Sequence, residues 1–203
     1  MSSNPPWQGS REKENEMPVL REEGEKQGIL QAAKLMLVSA RTAPKSAGVD
    51  DLILAVVYGK EKDEIAAEMD KIADERKLKG FKRDGKNLRD SEATLLIGIK
   101  GSKSIGLNCG ACGYKRCEEF NKAKKKQGLD FAGPTCLFKA LDMGIALSSA
   151  AKTASLLNVD NRITYRIGTA AKRLKLLPKA HVIMGVPISA SGKSIYFDRP
   201  TDV

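Results

Sequence analysis

All four cysteines of the chain fall within one short stretch, as Cys109, Cys112, Cys117 and Cys136. The first three follow the spacing C-x2-C-x4-C, and the fourth lies farther along the chain. Thiolates are soft ligands, and four of them suit an iron–sulfur cluster or a tetrahedral zinc ion. A segment that must wrap such a centre is more constrained in its backbone than any other part of this sequence.

The spacing of these cysteines favours a cluster over zinc. Structural zinc is usually held by two closely spaced cysteine pairs, whereas three close cysteines and a distant fourth are more typical of iron–sulfur ligation. Gly110 and Gly113 allow the backbone to curl, because glycine adopts positive φ without steric cost. The curl would direct amide N–H groups at sulfur, and Lys115 and Arg116 would add positive charge. Zinc remains the alternative metal.

The overall composition is that of an ordinary globular chain with a basic surface. It has 203 residues, of which 41% are hydrophobic, and a net charge of +10. This balance is compatible with nucleic acid, a nucleotide phosphate or an acidic protein as partner. The lysine run between Lys122 and Lys126 favours docking of an acidic electron-carrier protein, unless it is only a solvated helix face. No nucleic acid is expected, because aromatic residues do not interleave with the basic ones.

The N-terminal sequence and the apolar runs indicate a cytoplasmic protein that does not enter a membrane. The first residues contain no apolar core of a secretory signal, and no apolar run is long enough to span a bilayer. Residues 1–17 are polar and without periodicity, which predicts a disordered arm. Cytoplasmic thiols stay reduced, which favours metal binding over disulfides.

Alternating apolar patterns predict an α+β layered fold. We expect strands over residues 52–58, 93–99 and 180–187, and helices over 21–40, 61–79, 136–158 and 162–176, with a shorter helix from Cys117. Residues 80–91 are polar and predict a connection. A single domain would cover residues 18–203, with residues 105–137 as an embedded cysteine loop between a buried strand and the long helix.

The cysteine segment resembles a known iron–sulfur motif. CGACGYKRCEEFNKA is similar to the CGxCGxxxCxxFA segment of the four-cysteine domain in electron-transfer subunits of anaerobic metabolism. The resemblance implies that Cys109, Cys112, Cys117 and Cys136 bind one [4Fe-4S] cluster.

The flanking sequences resemble nitroreductase-type flavoproteins. GILQAAKLMLVSARTAPKSAGVDDLILAVVYGKE is similar to their opening helix, turn and strand, LDMGIALSSAAKTASLLN to their central helix, and HVIMGVP to their last core strand. With the cysteine motif, the chain is identified as a member of a ferredoxin-domain-containing family on a nitroreductase-like frame. The resemblance implies a nitroreductase-like α/β sandwich with an embedded ferredoxin-like loop, and a homodimer with FMN at its interface.

The candidate flavin contacts are Arg41, Thr42 and Lys45 in the turn after the first helix, and Lys193 after the last strand. Each of the three basic residues is otherwise a solvated loop charge. In nitroreductases, arginines before the first helix bind the FMN phosphate. The corresponding stretch of this chain reads LREEGEKQG and lacks that arginine motif.

Two functional hypotheses follow, and neither identifies a catalytic residue. The first is an iron–sulfur protein that transfers electrons or reduces a small electrophile through flavin. The second is a non-catalytic binding module, stabilised by a cluster or zinc, with a basic surface for a partner.

Overall fold

A four-stranded antiparallel sheet forms the middle layer of the fold. The computed structural model describes residues 19–197, so the arm expected over residues 1–17 lies outside the described residues. The strand order is β1-β2-β6-β5. The strands of this sheet are β1 (Leu52–Tyr58), β2 (Ala93–Ile99), β5 (Asp160–Asn161) and β6 (Val182–Ser189). A separate hairpin pairs β3 (Lys126–Gln127) with β4 (Ala132–Gly133).

The helices cover both faces of this sheet. One face is packed by α1 and α5, and the other by α2, α3 and α6, while α4 belongs to the cysteine loop. The helices are α1 (Arg21–Thr42), α2 (Gly59–Arg76), α3 (Lys79–Arg89), α4 (Cys117–Lys122), α5 (Leu137–Leu156) and α6 (Tyr165–Arg173). This arrangement confirms the expected α+β sandwich.

The central strand β2 divides the hydrophobic core in two. All seven of its residues are buried, which explains the uninterrupted apolar run in the sequence. Because successive side chains of a strand point to opposite faces, Leu95 and Ile97 pack with Met36 and Ala146. Leu96 packs on the other side among residues of α2 and α6. Each such leucine contributes about 1.5–3 kcal/mol of burial free energy.

Residues 80–91 were expected to be a connection, and this expectation is wrong, because most of them form α3. Its buried positions are Phe81, Asp84, Gly85 and Leu88, which follow helical spacing. Of these four buried positions, only Phe81 and Leu88 carry large apolar side chains. Asp84 is buried because the guanidinium of Arg166 lies 2.6 Å from its carboxylate.

Close backbone packing fixes α6 against β6. A Cβ atom at position 168 would lie 1.7 Å from the Ile183 carbonyl oxygen, so only glycine lets the helix approach the strand this closely. The helix is shorter than the expected 162–176, and the strand lies two residues beyond the expected 180–187.

The cysteine loop leaves the sheet after β2 and returns at the start of α5. The Cys136 amide donates to the Gly101 carbonyl at 3.1 Å, which closes the base of the loop. Thr135 packs so tightly here that a Cβ on Gly101 would lie 2.4 Å from its methyl carbon. The hairpin is joined to the sheet through His181, whose carbonyl accepts from Ala132 at 3.1 Å. The site is therefore anchored at both ends to the core.

Candidate metal centre

The four predicted cysteine ligands line one shared cavity. Cys136 is buried, Cys112 and Cys117 are half-buried, and Cys109 is exposed. The cavity wall also contains apolar side chains, namely Ile105, Leu107, Phe120 and Phe138. Among residues 19–197, no three Cys, His, Asp or Glu side chains converge as the ligand set of a single metal ion. The four thiols therefore line one pocket without converging as a ligand set for a single metal ion.

The backbone around these cysteines is curled by residues with positive φ. Gly110 and Gly113 have φ of 74° and 84°, which confirms the conformation expected of them. The Gly113 amide donates to the Gly110 carbonyl at 2.9 Å and closes a tight turn. Gly106 and Asn108 add further positive φ values of 87° and 49°. Asparagine tolerates this region better than other residues with a side chain.

Backbone amides donate hydrogen bonds to two of the sulfurs. The Leu137 amide lies 3.2 Å from Cys112 Sγ, and the Asn108 amide lies 3.2 Å from Cys117 Sγ. Asn108 makes a second contact, because its Oδ1 accepts from the Cys117 amide at 2.8 Å. Leu137 is the first residue of α5, so its amide belongs to the positive end of that helix. Such contacts stabilise thiolates.

The cysteines differ in their electrostatic surroundings. The pKa of Cys117 lies below its ordinary value, chiefly because the Ser104 hydroxyl donates to its thiolate, with further donation from the Asn108 amide. The pKa of Cys112 lies above its ordinary value, first because of burial and then because Cys136 and Cys109 are close to it. Cys112 therefore lies within electrostatic reach of both Cys136 and Cys109.

The sequence does not identify Ser104 and Asn108 as part of this site. Ser104 is itself held by Asn121, whose Oδ1 accepts from the Ser104 amide at 2.8 Å. One feature of the sequence could have indicated Asn108. It directly precedes Cys109 and Gly110, and asparagine suits a left-handed backbone position. No such feature indicated Ser104, because its contact depends on how the loop folds.

The three turn residues proposed for flavin form a connected group at the C-terminal end of α1. Arg41 lies 2.5 Å from the Asp50 carboxylate. Lys45 donates to the carbonyls of Arg41 and Ala43 at 2.5 and 2.8 Å. The Thr42 hydroxyl donates to the Val38 carbonyl at 3.1 Å. The structure therefore brings these three side chains together and partners each of them within the turn region.

Lys193 lies at the other end of α1. The neighbouring Ser191 and Gly192 line a cavity with Arg21 and Glu25, in the first turns of that helix. Because α1 has 22 residues, its ends are about 33 Å apart. A single chain therefore does not bring Lys193 to Arg41, Thr42 and Lys45.

The first turns of α5 connect the cysteine loop to the turn after α1. The buried ammonium of Lys139 forms an ion pair with Asp51. Asp142, also buried, accepts from the Ser46 amide and hydroxyl at 2.9 and 2.8 Å. Cys136, Lys139 and Asp142 recur every three residues and so lie along one side of the helix. The candidate metal site and the candidate flavin turn thus share one rigid support.

No helix within residues 19–197 is both long and apolar enough to cross a membrane.

A family model supports the ferredoxin part of the predicted resemblance. The model described as "Uncharacterized protein containing a ferredoxin domain (DUF2148)" matches residues 132–199. Of the four cysteines, this range contains Cys136.

Solved structures support the nitroreductase-like fold. The nitroreductase CinD of Lactococcus lactis, in complex with 4-nitrophenol, has a TM-score of 0.53 at 14% identity, over 85% of this chain and 84% of that one. An oxidoreductase containing FMN has a TM-score of 0.51 at 12% identity, over 80% and 67% of the two chains. The NADPH:FMN oxidoreductase of Vibrio harveyi, in complex with NAD+, has a TM-score of 0.50 at 12% identity, over 81% and 60%.

The relative that establishes kinship is an uncharacterised protein of Archaeoglobus fulgidus. It is 51% identical over 173 residues, which cover 85% of this chain and 92% of the relative. The protein described here therefore belongs to the same family as this Archaeoglobus protein, with a nitroreductase-like fold and a ferredoxin-domain match in its C-terminal third.

Proposed function

We propose that Cys109, Cys112, Cys117 and Cys136 bind one [4Fe-4S] cluster and that the protein transfers electrons. The observation that carries this proposal is the shared cavity, which all four thiols line. Amide donors at 3.2 Å from Cys112 and Cys117 fit thiolates that ligate iron. The ferredoxin-domain match agrees with this cofactor, and a reducing cytoplasm would keep the thiols available.

The residues around the cavity have separate tasks in this function. Cys136 is fixed by Gly101 at the base of the loop, and Leu137 and Asn108 stabilise negative charge on sulfur. Phe120 and Phe138 form an apolar part of the cavity wall. A bound cluster would supply one-electron redox chemistry, with a potential set by these hydrogen bonds, nearby charge and exposure.

The nitroreductase-like fold and the residues of the turn after α1 support a flavin-linked form of the function. FMN would accept electrons from the cluster side and reduce a small electrophile, while the protein supplies binding and orientation. Arg41, Thr42, Lys45 and Lys193 are the proposed contacts. Since Lys193 and the other three lie near opposite ends of α1, a helix about 33 Å long, one flavin can contact both groups only if they come from two chains.

A homodimer formed through the outer face of α1 and α5 would meet this requirement if its two-fold axis is perpendicular to α1, because the two copies of that helix then run antiparallel. Exposed apolar residues mark that face. Leu137, Leu141 and Ile145 are 40%, 50% and 43% exposed and recur every four residues along α5. Leu35 and Val38 add 42% and 55% exposed side chains on the adjacent α1.

Light scattering coupled to size exclusion tests the homodimer. We expect the wild type to be a dimer and Ile145→Glu to be a monomer, whereas Leu129→Glu, on the turn of the β3–β4 hairpin, should remain a dimer. A monomeric wild type would contradict this part of the proposal.

Elemental and cofactor analysis tests the function itself. After purification without oxygen, iron, acid-labile sulfide, zinc and released flavin are measured per chain. We expect about four iron and four sulfide together with FMN. Cluster without flavin would limit the function to electron transfer.

The second candidate function is a non-catalytic binding module. It is favoured by the basic side chains that outnumber acidic ones between residues 100 and 127. Lys103, Lys115 and Arg116 are exposed there and would hold an acidic partner. Zinc without sulfide in the same measurement would overturn the redox function and leave this module.

A further inference from the structure

The four lysines of the run between residues 122 and 126 have different environments. Lys122 is exposed and forms an ion pair with Glu118, one turn earlier in α4. Lys124 and Lys126 are exposed. Lys125 alone among these four is half-buried and turned towards the protein. The sequence presents a uniform charge run, whereas the structure singles out one member.

Lys125 lies against the aromatic wall of the cysteine cavity. Its Nζ is 3.8 Å from the centroid of the Phe120 ring and also donates to the Phe120 carbonyl. Phe120 is 1% exposed and lines the cavity with the four thiols. Tyr114 packs edge-on against the same ring, with centroids 5.8 Å apart. The ammonium therefore lies on a ring that also forms part of the cavity wall.

The ammonium has no carboxylate partner within residues 19–197, and the negative group that acts on it is a cysteine. Burial lowers the pKa of Lys125, and the thiolate of Cys112 opposes that lowering. The charge of Lys125 also helps to lower the pKa of His181, behind the hairpin. Partial burial of a cation without a counterion carries a cost, and a ring face and a carbonyl offset only part of that cost. The missing negative charge is supplied if the thiolates hold a cluster.

We propose that Lys125 is a positioning residue whose fixed positive charge compensates the cluster held by the four cysteines and raises its reduction potential. This inference rests on the proposed cluster. Reduction adds one electron and one negative charge to the site and makes or breaks no bond. A nearby cation stabilises the reduced form more than the oxidised form, so its removal should lower the potential.

The test compares Lys125→Met with Lys124→Met. Methionine keeps much of the apolar stem and removes the charge, and Lys124 is an exposed neighbour in the same run. Anaerobic wild type and variants are analysed for iron and sulfide, then titrated with dithionite while the reduced cluster is followed by electron paramagnetic resonance. We expect Lys125→Met to reduce the equilibrium constant for reduction about tenfold, which is about 59 mV. Lys124→Met should leave the equilibrium constant unchanged. Lys125→Arg keeps the positive charge and should give the wild-type value.

Three results would overturn the inference. Equal shifts in the two methionine variants would show a general surface effect, and no shift in Lys125→Met would show that its charge does not reach the site. If Lys125→Met does not load iron, its comparison with Lys125→Arg still decides the question. Failure of both variants to load iron would show that Lys125 has a structural role instead. Absence of iron and sulfide from the wild type would instead refute the proposed function, which keeps the two failures distinct.

Discussion

Replacement of Asn108 gives a quantitative test of how the cysteine loop is organised. Asn108 adopts a φ of 49°, and its side chain accepts from the Cys117 amide at 2.8 Å. Asn108→Gly keeps the backbone conformation and removes this hydrogen bond, at a cost of about 1 kcal/mol. Asn108→Ala removes the same bond and keeps a Cβ in the left-handed region without the polar side chain that lets asparagine tolerate it, so it should cost about 1–2 kcal/mol more than Asn108→Gly.

These costs translate into rates of cluster loss. At about 1.4 kcal/mol for each factor of ten, Asn108→Gly should release its cluster about fivefold faster than the wild type. Asn108→Ala should release it about 30- to 150-fold faster, from the same conversion of about 2–3 kcal/mol. The assay follows visible absorbance under an iron chelator without oxygen, starting from equally loaded proteins. Unchanged rates in both variants would refute the reasoning, and equal acceleration would show that backbone strain plays no part.

Further predictions concern one cysteine ligand, the core and pH. Cys117→Ser should lose the brown chromophore, and unchanged iron and sulfide content would exclude Cys117 as a ligand. Leu95→Ala should lower the free energy of unfolding by about 2–5 kcal/mol in urea titrations, because Leu95 is fully buried. A loss below 1 kcal/mol would contradict the described core. Burial lowers the pKa of His181 in the folded state, so its stabilising contribution is complete above its unfolded pKa and is lost as pH falls. The acid-side decline in unfolding free energy should be shallower in His181→Gln, and an identical pH profile would contradict this.

The elements that the sequence predicts well are those whose burial is carried by apolar side chains alone. β1 and β2 begin and end at the expected residues, because an apolar strand covered on both faces leaves an unbroken run. The helix α3 was missed because Asp84 occupies one of its inward positions. Its carboxylate pairs with both Arg83 and Arg166, and Arg166 is distant in sequence and adjacent only in the folded protein.

The candidate site divides in the same way. The cysteine spacing and the curl at Gly110 and Gly113 are local properties, and the sequence shows them directly. The inward turn of Lys125 is a tertiary contact, and a charge run does not reveal it. The separation of Lys193 from Arg41 could not be predicted either, because it depends on which end of α1 the end of β6 reaches.

The closed base of the cysteine loop has a consequence for the order of assembly. Since Gly101 and Cys136 are joined by a hydrogen bond of 3.1 Å, the entropy of closing the loop is lost when the sandwich folds. Cys109, Cys112 and Cys117 are then tethered close to Cys136, so capture of iron and sulfide becomes an intramolecular search at high effective concentration. The folded apoprotein would thus act as a ready acceptor, and the core can fold without waiting for the cluster.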